Sequence, residues 1–403
     1  MRITDIKTYL MQAGAPATTA WTGTGKSALA TGRNWLFLRL ETDEGLCGIG
    51  EGSGWPRVVQ TAVQDLKPIL IGENPFDIER LWQKMRVAMM GHGDTGVVGG
   101  GALTAIDMAL WDLKGKVLGT PVWNLLGGKV RDRLRCYAHA KDVAGALALA
   151  ERGMTAVKLG GVADILRRVE DVRAALPPEV DLMVDLHGPP WMPAADAITL
   201  GRSLERHGLL FLEEPVAPED IDGLRRLRRQ LALPIAAGER WATGWGLRRL
   251  LDEGLVDVLQ PDSGRAGGIT QLKKIAALAE AHMVQFAPHA GSLGPIAEYA
   301  AAHVMASIPN ALMMERLEPD WTGRYDAVVP ALRCVDGFIT VPDAPGLGVE
   351  INEEFIARHP STRNVAIATG GWEPGTESET AYIQPRFRRR AALIGTPTGD
   401  KTP

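Results

Sequence analysis

The feature that most constrains this chain is a rhythm of short apolar runs beginning after residue 130. The runs end near Ala138, Lys158, His187, Glu213, Glu239, Pro261, His289 and Glu315, at a spacing of roughly 20 to 29 residues. Helical patterns fill the gaps, for example Ile221–Gln230 and Gln271–Ala281. Parallel strands covered by helices are buried on both faces, so they read as continuous apolar runs rather than as alternating ones. Eight such units at this period predict an α/β barrel of the eight-fold type, with its chemistry at the C-terminal ends of the strands.

The first 128 residues have a different grammar. ITDIKTYLM alternates like a half-buried strand, and two β-rich runs in NWLFLRLETDEGLCGIGEG flank Asp43-Glu44-Gly45, a hairpin signal. From Trp55 to about Gly128 the pattern is helical. Pro75–Trp82 has an acidic first turn, and Ala102–Val117 reads as a strongly amphipathic packing helix with Ile106, Leu110 and Leu113 on one stripe. Residues 1–128 are therefore expected to form an α+β capping domain, 129–331 the barrel, and 332–403 a return to the cap followed by a tail. The loop Ala13–Arg33 contains Gly23-Thr24-Gly25-Lys26-Ser27, but a phosphate-binding loop needs glycine where Ala20 stands. We read it as a lid over a ligand. The tail from about Ser361, rich in Gly, Thr, Pro and Arg, reads as disorder or a subunit contact rather than chemistry.

Composition excludes several classes of function. The 403 residues are 45% hydrophobic, ample for a large core, and the net charge of -4 gives no footprint for nucleic acid or an anionic membrane. Cys47, Cys136 and Cys334 are odd in number and lack metal spacing, which fits a reducing compartment. MRITDIKTYL has no signal-peptide pattern and no apolar run is long enough to span a bilayer, so a cytoplasmic protein is expected.

The polar residues at the strand ends carry the functional reading. In Val184-Asp185-Leu186-His187-Gly188, side-chain alternation turns Asp185 and His187 to the same side. Three consecutive strands supply Asp185, Glu213 and Glu239, hard oxygen donors suited to Mg2+. Between Glu213 and Glu214, alternation favours one facing inward, and Glu213 is chosen. His187 and His289 lie four strands apart and face each other across the ring. Asp262, on the strand before His289, is placed to hold one of its ring nitrogens. Glu315 could hydrogen-bond a substrate carboxylate if protonated, or a hydroxyl if not. Lys158 could donate to a substrate oxygen or balance the carboxylates. His92, His139, His207, His282, His303 and His359 lack comparable placement and read as structural or solvated.

AIDMALWDLKGK, PVWNLLGG, DLHG, FLEEP, AAGER, LQPDSGRAGGIT, APHAGSLGP and a late Glu, in this order, resemble the enolase superfamily, mandelate racemase subgroup, over about Met1 to Gly348. The pairing of D-x-H-G with A-P-H is most similar to sugar-acid dehydratases of the galactonate dehydratase type. The resemblance implies a modified TIM barrel of the (β/α)7β type, with an N-terminal α+β capping domain completed by C-terminal segments. It also implies Mg2+ on Asp185, Glu213 and Glu239, a His289–Asp262 base, His187 as general acid, Glu315 as stabiliser of the intermediate, and a homo-oligomer (dimer or octamer). The subgroup's Lys-x-Lys is incomplete, since Gly160 follows Lys158 two positions on. A shifted match would place Lys158 second and Ala156 first, returning a base on the other face. The expected reaction is Mg2+-dependent dehydration of an aldonate to a 2-keto-3-deoxy acid by C2 proton abstraction, enediolate stabilisation and loss of the C3 hydroxyl. An epimerase or cycloisomerase acting on a related acid sugar, and a non-catalytic sugar-acid-binding protein, are the alternatives.

Overall fold

The structure, a computed structural model, describes residues 1–13, 33–90, 96–162, 164–186, 191–290, 293–316 and 323–361. Most of the expected lid loop with its Gly23–Ser27 stretch, His92, His187 and the tail beyond Ser361 lie outside the described residues.

Strands β1 (Ile3–Ala13), β2 (Arg33–Thr42) and β3 (Cys47–Gly52) form an antiparallel sheet in that order. Gly45 turns the β2–β3 hairpin with φ of 77°. Helices α1 (Pro56–Leu70), α2 (Ile78–Met90), α3 (Gly96–Leu118) and α4 (Val122–Leu125) follow. The glycines of CGIGEG explain how α3 lies on β3. A Cβ at Gly48 or Gly50 would overlap the carbonyl oxygen of Ala109 or Ala105, so only glycine permits backbone contact there. The expectation of an amphipathic helix over Ala102–Val117 needs correction. Every residue from Gly100 to Leu110 is buried, because α3 has the cap sheet on one side and a barrel helix on the other.

The barrel runs β4 (Arg133–Ala140), α5 (Val143–Glu151), β5 (Ala156–Gly160), α6 (Ile165–Ala175), β6 (Asp181–Asp185), α7 (Ala194–Leu204), β7 (Leu212–Glu213), α8 (Ile221–Gln230), β8 (Ile235–Ala237), α9 (Thr243–Asp252), β9 (Val258–Leu259), α10 (Gly268–Ala281), β10 (Gln285–Phe286), α11 (Pro295–Ala306) and β11 (Met314–Arg316). Neighbours pair in parallel from β4 to β10, and β11 pairs in parallel with β4. A bridge from Phe286 to Ala311 closes the ring. Eight strands and seven connecting helices make the (β/α)7β arrangement. Asp142 and Asp220 start α5 and α8 by accepting from the backbone N–H of Gly145 and Gly223, at 2.9 and 2.8 Å.

The barrel interior is filled by one side chain from each strand: Tyr137, Ala156, Met183, Phe211, Ala236, Val258, Ala287 and Met313 form a single buried cluster. After the barrel come β12 (Val328–Val329), β13 (Cys334–Val335), β14 (Phe338–Thr340), β15 (Glu350–Ile351) and α12 (Glu353–Arg358). The chain first adds β14 antiparallel to the outer end of β4. It then passes α3, where Leu347 N donates to Asp112 at 2.8 Å, and ends on β1, where Gln12 N donates to His359 O at 2.9 Å. Among the described residues, no helix is long and apolar enough to cross a membrane.

Candidate active site

Two residues beyond each member of the inner cluster, at the C-terminal end of the barrel, stand His139, Lys158, Asp185, Glu213, Gly238, Gln260, His289 and Glu315. Strand alternation requires this, since residues i and i+2 share a face. The apolar floor therefore carries a polar layer directly above it. Only the β8 position lacks a side chain. Gly238 there has φ of 149°, and a Cβ would lie 2.8 Å from the Gln260 backbone. The acid of this strand comes instead from the next residue, Glu239.

Lys158 is fully buried at the centre. Its Nζ lies 2.7 Å from Glu213 Oε2, 2.8 Å from Glu315 Oε1 and 3.3 Å from Asp185 Oδ2, and it sits 5.2 Å over the Tyr137 ring. Of the two roles open to Lys158, these contacts are those of charge balance. Burial and the neighbouring Asp185 push Glu213 up to about 8, against the pull of Lys158. Glu213 Oε2 also accepts from Gln260 Nε2 at 3.0 Å, while its buried Oε1 has no hydrogen-bond partner. Glu214, at φ of 42°, leans on Arg240, whose Nε is 2.9 Å from its Oε2.

Across the site, His289 Nδ1 is 2.6 Å from Asp262 Oδ2. Asp262 Oδ1 accepts from Ser53 Oγ of the cap at 3.0 Å and from Gly264 N at 2.8 Å, which fixes the carboxylate. His289 Nε2 points into the layer, 3.1 Å from Glu239 Oε2 and 3.8 Å from Glu315 Oε2. Burial opposes its protonation, but Glu239, Glu315 and Asp262 together push it up to about 9. Glu315 is buried too, yet Lys158, His289 and His139 hold its carboxyl well below the usual range. It therefore stands as a carboxylate that accepts hydrogen bonds, including one from Ala290 N at 2.9 Å.

His139 corrects the sequence reading, which set it aside as structural or solvated. It belongs to the polar layer, with Nε2 2.6 Å from Glu315 Oε1. Gln260 and Ser53 were also missed. His303 is structural as expected, held between Trp123 N and Leu347 O at 3.1 and 3.0 Å. A cleft of about 230 Å3, lined by Asn34, Trp35, Ser53, Trp55, Arg265 and Leu293 among others, opens between the cap and the barrel. It adjoins the dyad through Ser53 and Arg265, both of which touch Asp262.

Among the described residues, no three metal-type groups are already drawn into a cage. Asp185 and Glu213 lean on Lys158, and Glu239 on His289. The donor set nonetheless fits a hard divalent cation: three carboxylates from consecutive strands, one with a buried oxygen lacking any partner.

Comparison with known proteins places this geometry. Residues 7–127 match the mandelate racemase/muconate lactonizing enzyme N-terminal domain, and 141–355 match the enolase C-terminal domain-like family. The chain belongs to the mandelate racemase/muconate lactonizing enzyme family. Within this family and the enolase superfamily around it, a D-galactonate dehydratase of Verminephrobacter eiseniae is 40% identical over 348 residues, covering 80% of this chain and 90% of the relative. One of Ralstonia pickettii is 39% identical over the same shares. The 3,6-anhydro-D-galactonate cycloisomerase of Zobellia galactanivorans superposes with a TM-score of 0.81 at 31% identity, over 90% of this chain and all of its own. An enolase of Pantoea ananatis with bound D-gluconate and Mg superposes at 0.78 and 30% identity, over 89% and 95%.

Proposed function

We propose that this protein dehydrates an aldonate of the galactonate type to the 2-keto-3-deoxy acid, with Mg2+ held by Asp185, Glu213 and Glu239. The observation that carries the reading is the His289–Asp262 pair, 2.6 Å apart and aimed at a buried acidic floor, in a chain 40% identical to a D-galactonate dehydratase.

A proton α to a carboxylate is too weakly acidic for an imidazole unless the resulting charge is stabilised. The divalent cation supplies that as a Lewis acid. The remaining work falls to side chains. Asp262 accepts a hydrogen bond from Nδ1–H of His289, which leaves Nε2 as the atom that removes the C2 proton. Glu315, held by Lys158 and Ala290 N, lies beside Nε2 and, as a carboxylate, accepts a hydrogen bond from a hydroxyl of the acid sugar at the reacting centre. His187, two residues beyond Asp185, gives its proton to the C3 hydroxyl, which leaves as water. The enol product tautomerises to the keto acid. Each imidazole supplies about 10²–10⁴-fold. Ser53 and Arg265 line the cap-side cleft next to the dyad, where the distal end of the acid is enclosed.

The fold likeness to a cycloisomerase favours a second reading, in which the same C2 chemistry rearranges the chain without loss of water. A library of aldonic and aldaric acids incubated with Mg2+ decides between them. A 2-keto-3-deoxy product trapped by a carbonyl reagent supports dehydration. C2 deuterium exchange with no keto product refutes it in favour of isomerisation, and Mg2+ binding with no turnover of any acid leaves only a binding protein. His289→Asn and His187→Asn should each abolish the keto product while leaving Mg2+ affinity intact.

A further inference from the structure

His139 belongs to the polar layer, yet the proposed reaction gives it no part. Its position follows from the fold. Tyr137 belongs to the apolar floor, so the next residue on that face of β4 must enter the site. Its ring lies over the Tyr137 ring, with centroids 6.4 Å apart and planes at 30°. Its Nε2 reaches Glu315 Oε1 at 2.6 Å, across the β4–β11 pair that closes the barrel. The His139 side chain is 28% exposed where that of Glu315 is 1% exposed. His139 thus stands between the carboxylate and the open end of the barrel.

The two oxygens of Glu315 are used differently. Oε1 receives Lys158 Nζ from β5 and His139 Nε2 from β4. Oε2 receives Ala290 N and is the oxygen that faces His289. Lys158 alone cannot fix that orientation, because its ammonium is shared with Glu213 and Asp185 on the far side. An ammonium is a point charge, and a carboxylate can rotate about it. Ala290 N holds Oε2, and His139 gives Oε1 a directional donor beside the shared ammonium, so that both oxygens are held from outside β5. Opposite an ionised carboxylate, the imidazole nitrogen must be the donor, and charge-assisted bonds of this length are the strong kind.

We propose that His139 is a positioning residue: it donates from Nε2 to Glu315 Oε1 and holds the carboxylate so that Oε2 faces the reacting centre beside His289. This rests on the reading that C2 of an acid sugar is deprotonated there. What the role requires is a hydrogen-bond donor at the Nε2 position rather than a group that titrates. A glutamine side chain places an amide N–H at similar reach, whereas leucine fills the space and donates nothing.

The test compares the full-length wild type with His139→Leu and His139→Gln, using the aldonate turned over by the wild type and saturating Mg2+. If Glu315 acts on the transition state, the loss in His139→Leu falls on kcat, roughly 10–100-fold, with KM changed by less than about threefold. His139→Gln should recover most of that loss and keep the wild-type pH profile, since no proton is moved by this residue. An unchanged kcat in His139→Leu overturns the proposal. So does a His139→Gln enzyme as slow as His139→Leu, which would mean that the ring itself transfers a proton. A second readout needs no turnover. The metal-free wild type should show a protected downfield imidazole N–H resonance, beside those of the other buried imidazoles, that is absent from His139→Leu. If that resonance is present but no sugar acid is consumed, the substrate reading fails while the contact stands. If His139→Leu removes no protected resonance, the contact itself is refuted.

Discussion

Glu51, Asp107 and Asp112 lie where the cap meets the barrel and the returning C-terminal segment, and they are as deeply buried as Glu213 and Glu214 at the barrel rim. Burial acts on all five in the same direction. It pushes Glu51 and Asp107 up to about 7, Asp112 to about 6, Glu213 to about 8 and Glu214 to about 7. Proton affinity therefore does not separate the two groups, but their hydrogen-bond donors do. Glu51 accepts from Gly294, Ile296 and Ala297 N at the start of α11. Asp107 accepts from Thr270 N at 3.0 Å and Thr270 Oγ1 at 2.5 Å. Asp112 accepts from Ile49 N and Leu347 N, at 2.9 and 2.8 Å, and has Lys116 Nζ to itself among the buried acids, at 2.8 Å. Each of these acids staples one backbone to another. At the rim, Asp185, Glu213 and Glu315 share the single ammonium of Lys158, and Glu213 keeps an oxygen with no partner. The lesson is that a buried acid whose oxygens are taken up by donors from the two elements it joins is structural, whereas buried acids that face one another and leave an oxygen unpartnered are suited to hold a cation.

The largest effect that could break this comparison is at Glu213. Glu213→Gln keeps the shape and removes the carboxyl group proposed to hold the cation. Turnover should fall by about 10³-fold or more, as expected when several kcal/mol of charge stabilisation is lost. Thermal stability should hold or rise, because functional sites are often strained at the expense of stability. Full activity in this variant, or a large drop in melting temperature, would erase the distinction drawn above.

How much of this was legible in the sequence follows from the same layer geometry. The strand ends were placed within three residues, the widest gap being at β10, which ends at Phe286 where His289 was expected. Parallel strands buried on both faces leave continuous apolar runs, and such runs are hard to mistake. Glu213 was preferred to Glu214 by alternation, and Glu213 is the one that stands two residues beyond floor residue Phe211. Applied to Tyr137 and Val258, the same counting would have found His139 and Gln260. Ending the first run at Ala138 hid His139, and the Pro261-Asp262 pair drew attention past Gln260. Ser53 had no signal at all, since its contact with Asp262 spans 209 positions in sequence. The buried face-all-round character of α3 was misread for a related reason. Its second covering surface, α10, comes more than 140 residues later, so the stripe of Ile106, Leu110 and Leu113 showed only one of the two faces it packs.

Asp107 offers the complementary break at smaller size. Asp107→Ala leaves Thr270 N, in the first turn of α10, without an acceptor in a buried interface, and Thr270 Oγ1 without one of its partners. A loss of about 2–3 kcal/mol in unfolding free energy is expected, read by denaturant titration. Activity per folded molecule should stay close to wild type, since Asp107 touches none of the polar layer. If turnover falls in proportion with Glu213→Gln, the two classes of buried acid are not separate.

The smallest effect is a difference in pH response between the wild type and Asp107→Asn. The ordinary carboxyl value of 3.8 is raised in the fold to about 7, because burial outweighs the hydrogen bonds from Thr270. A carboxyl group with a raised value favours the folded state in its protonated form. That contribution is fully present below about pH 3.8, declines as pH rises, and is gone above about pH 7. Between pH 6 and 8 the wild type should therefore lose on the order of 1 kcal/mol relative to Asp107→Asn, which carries no proton to lose. Melting curves of both proteins across that interval measure it. Curves that stay parallel would mean that the Thr270 donors keep Asp107 ionised throughout, and the staple would then be a charged one.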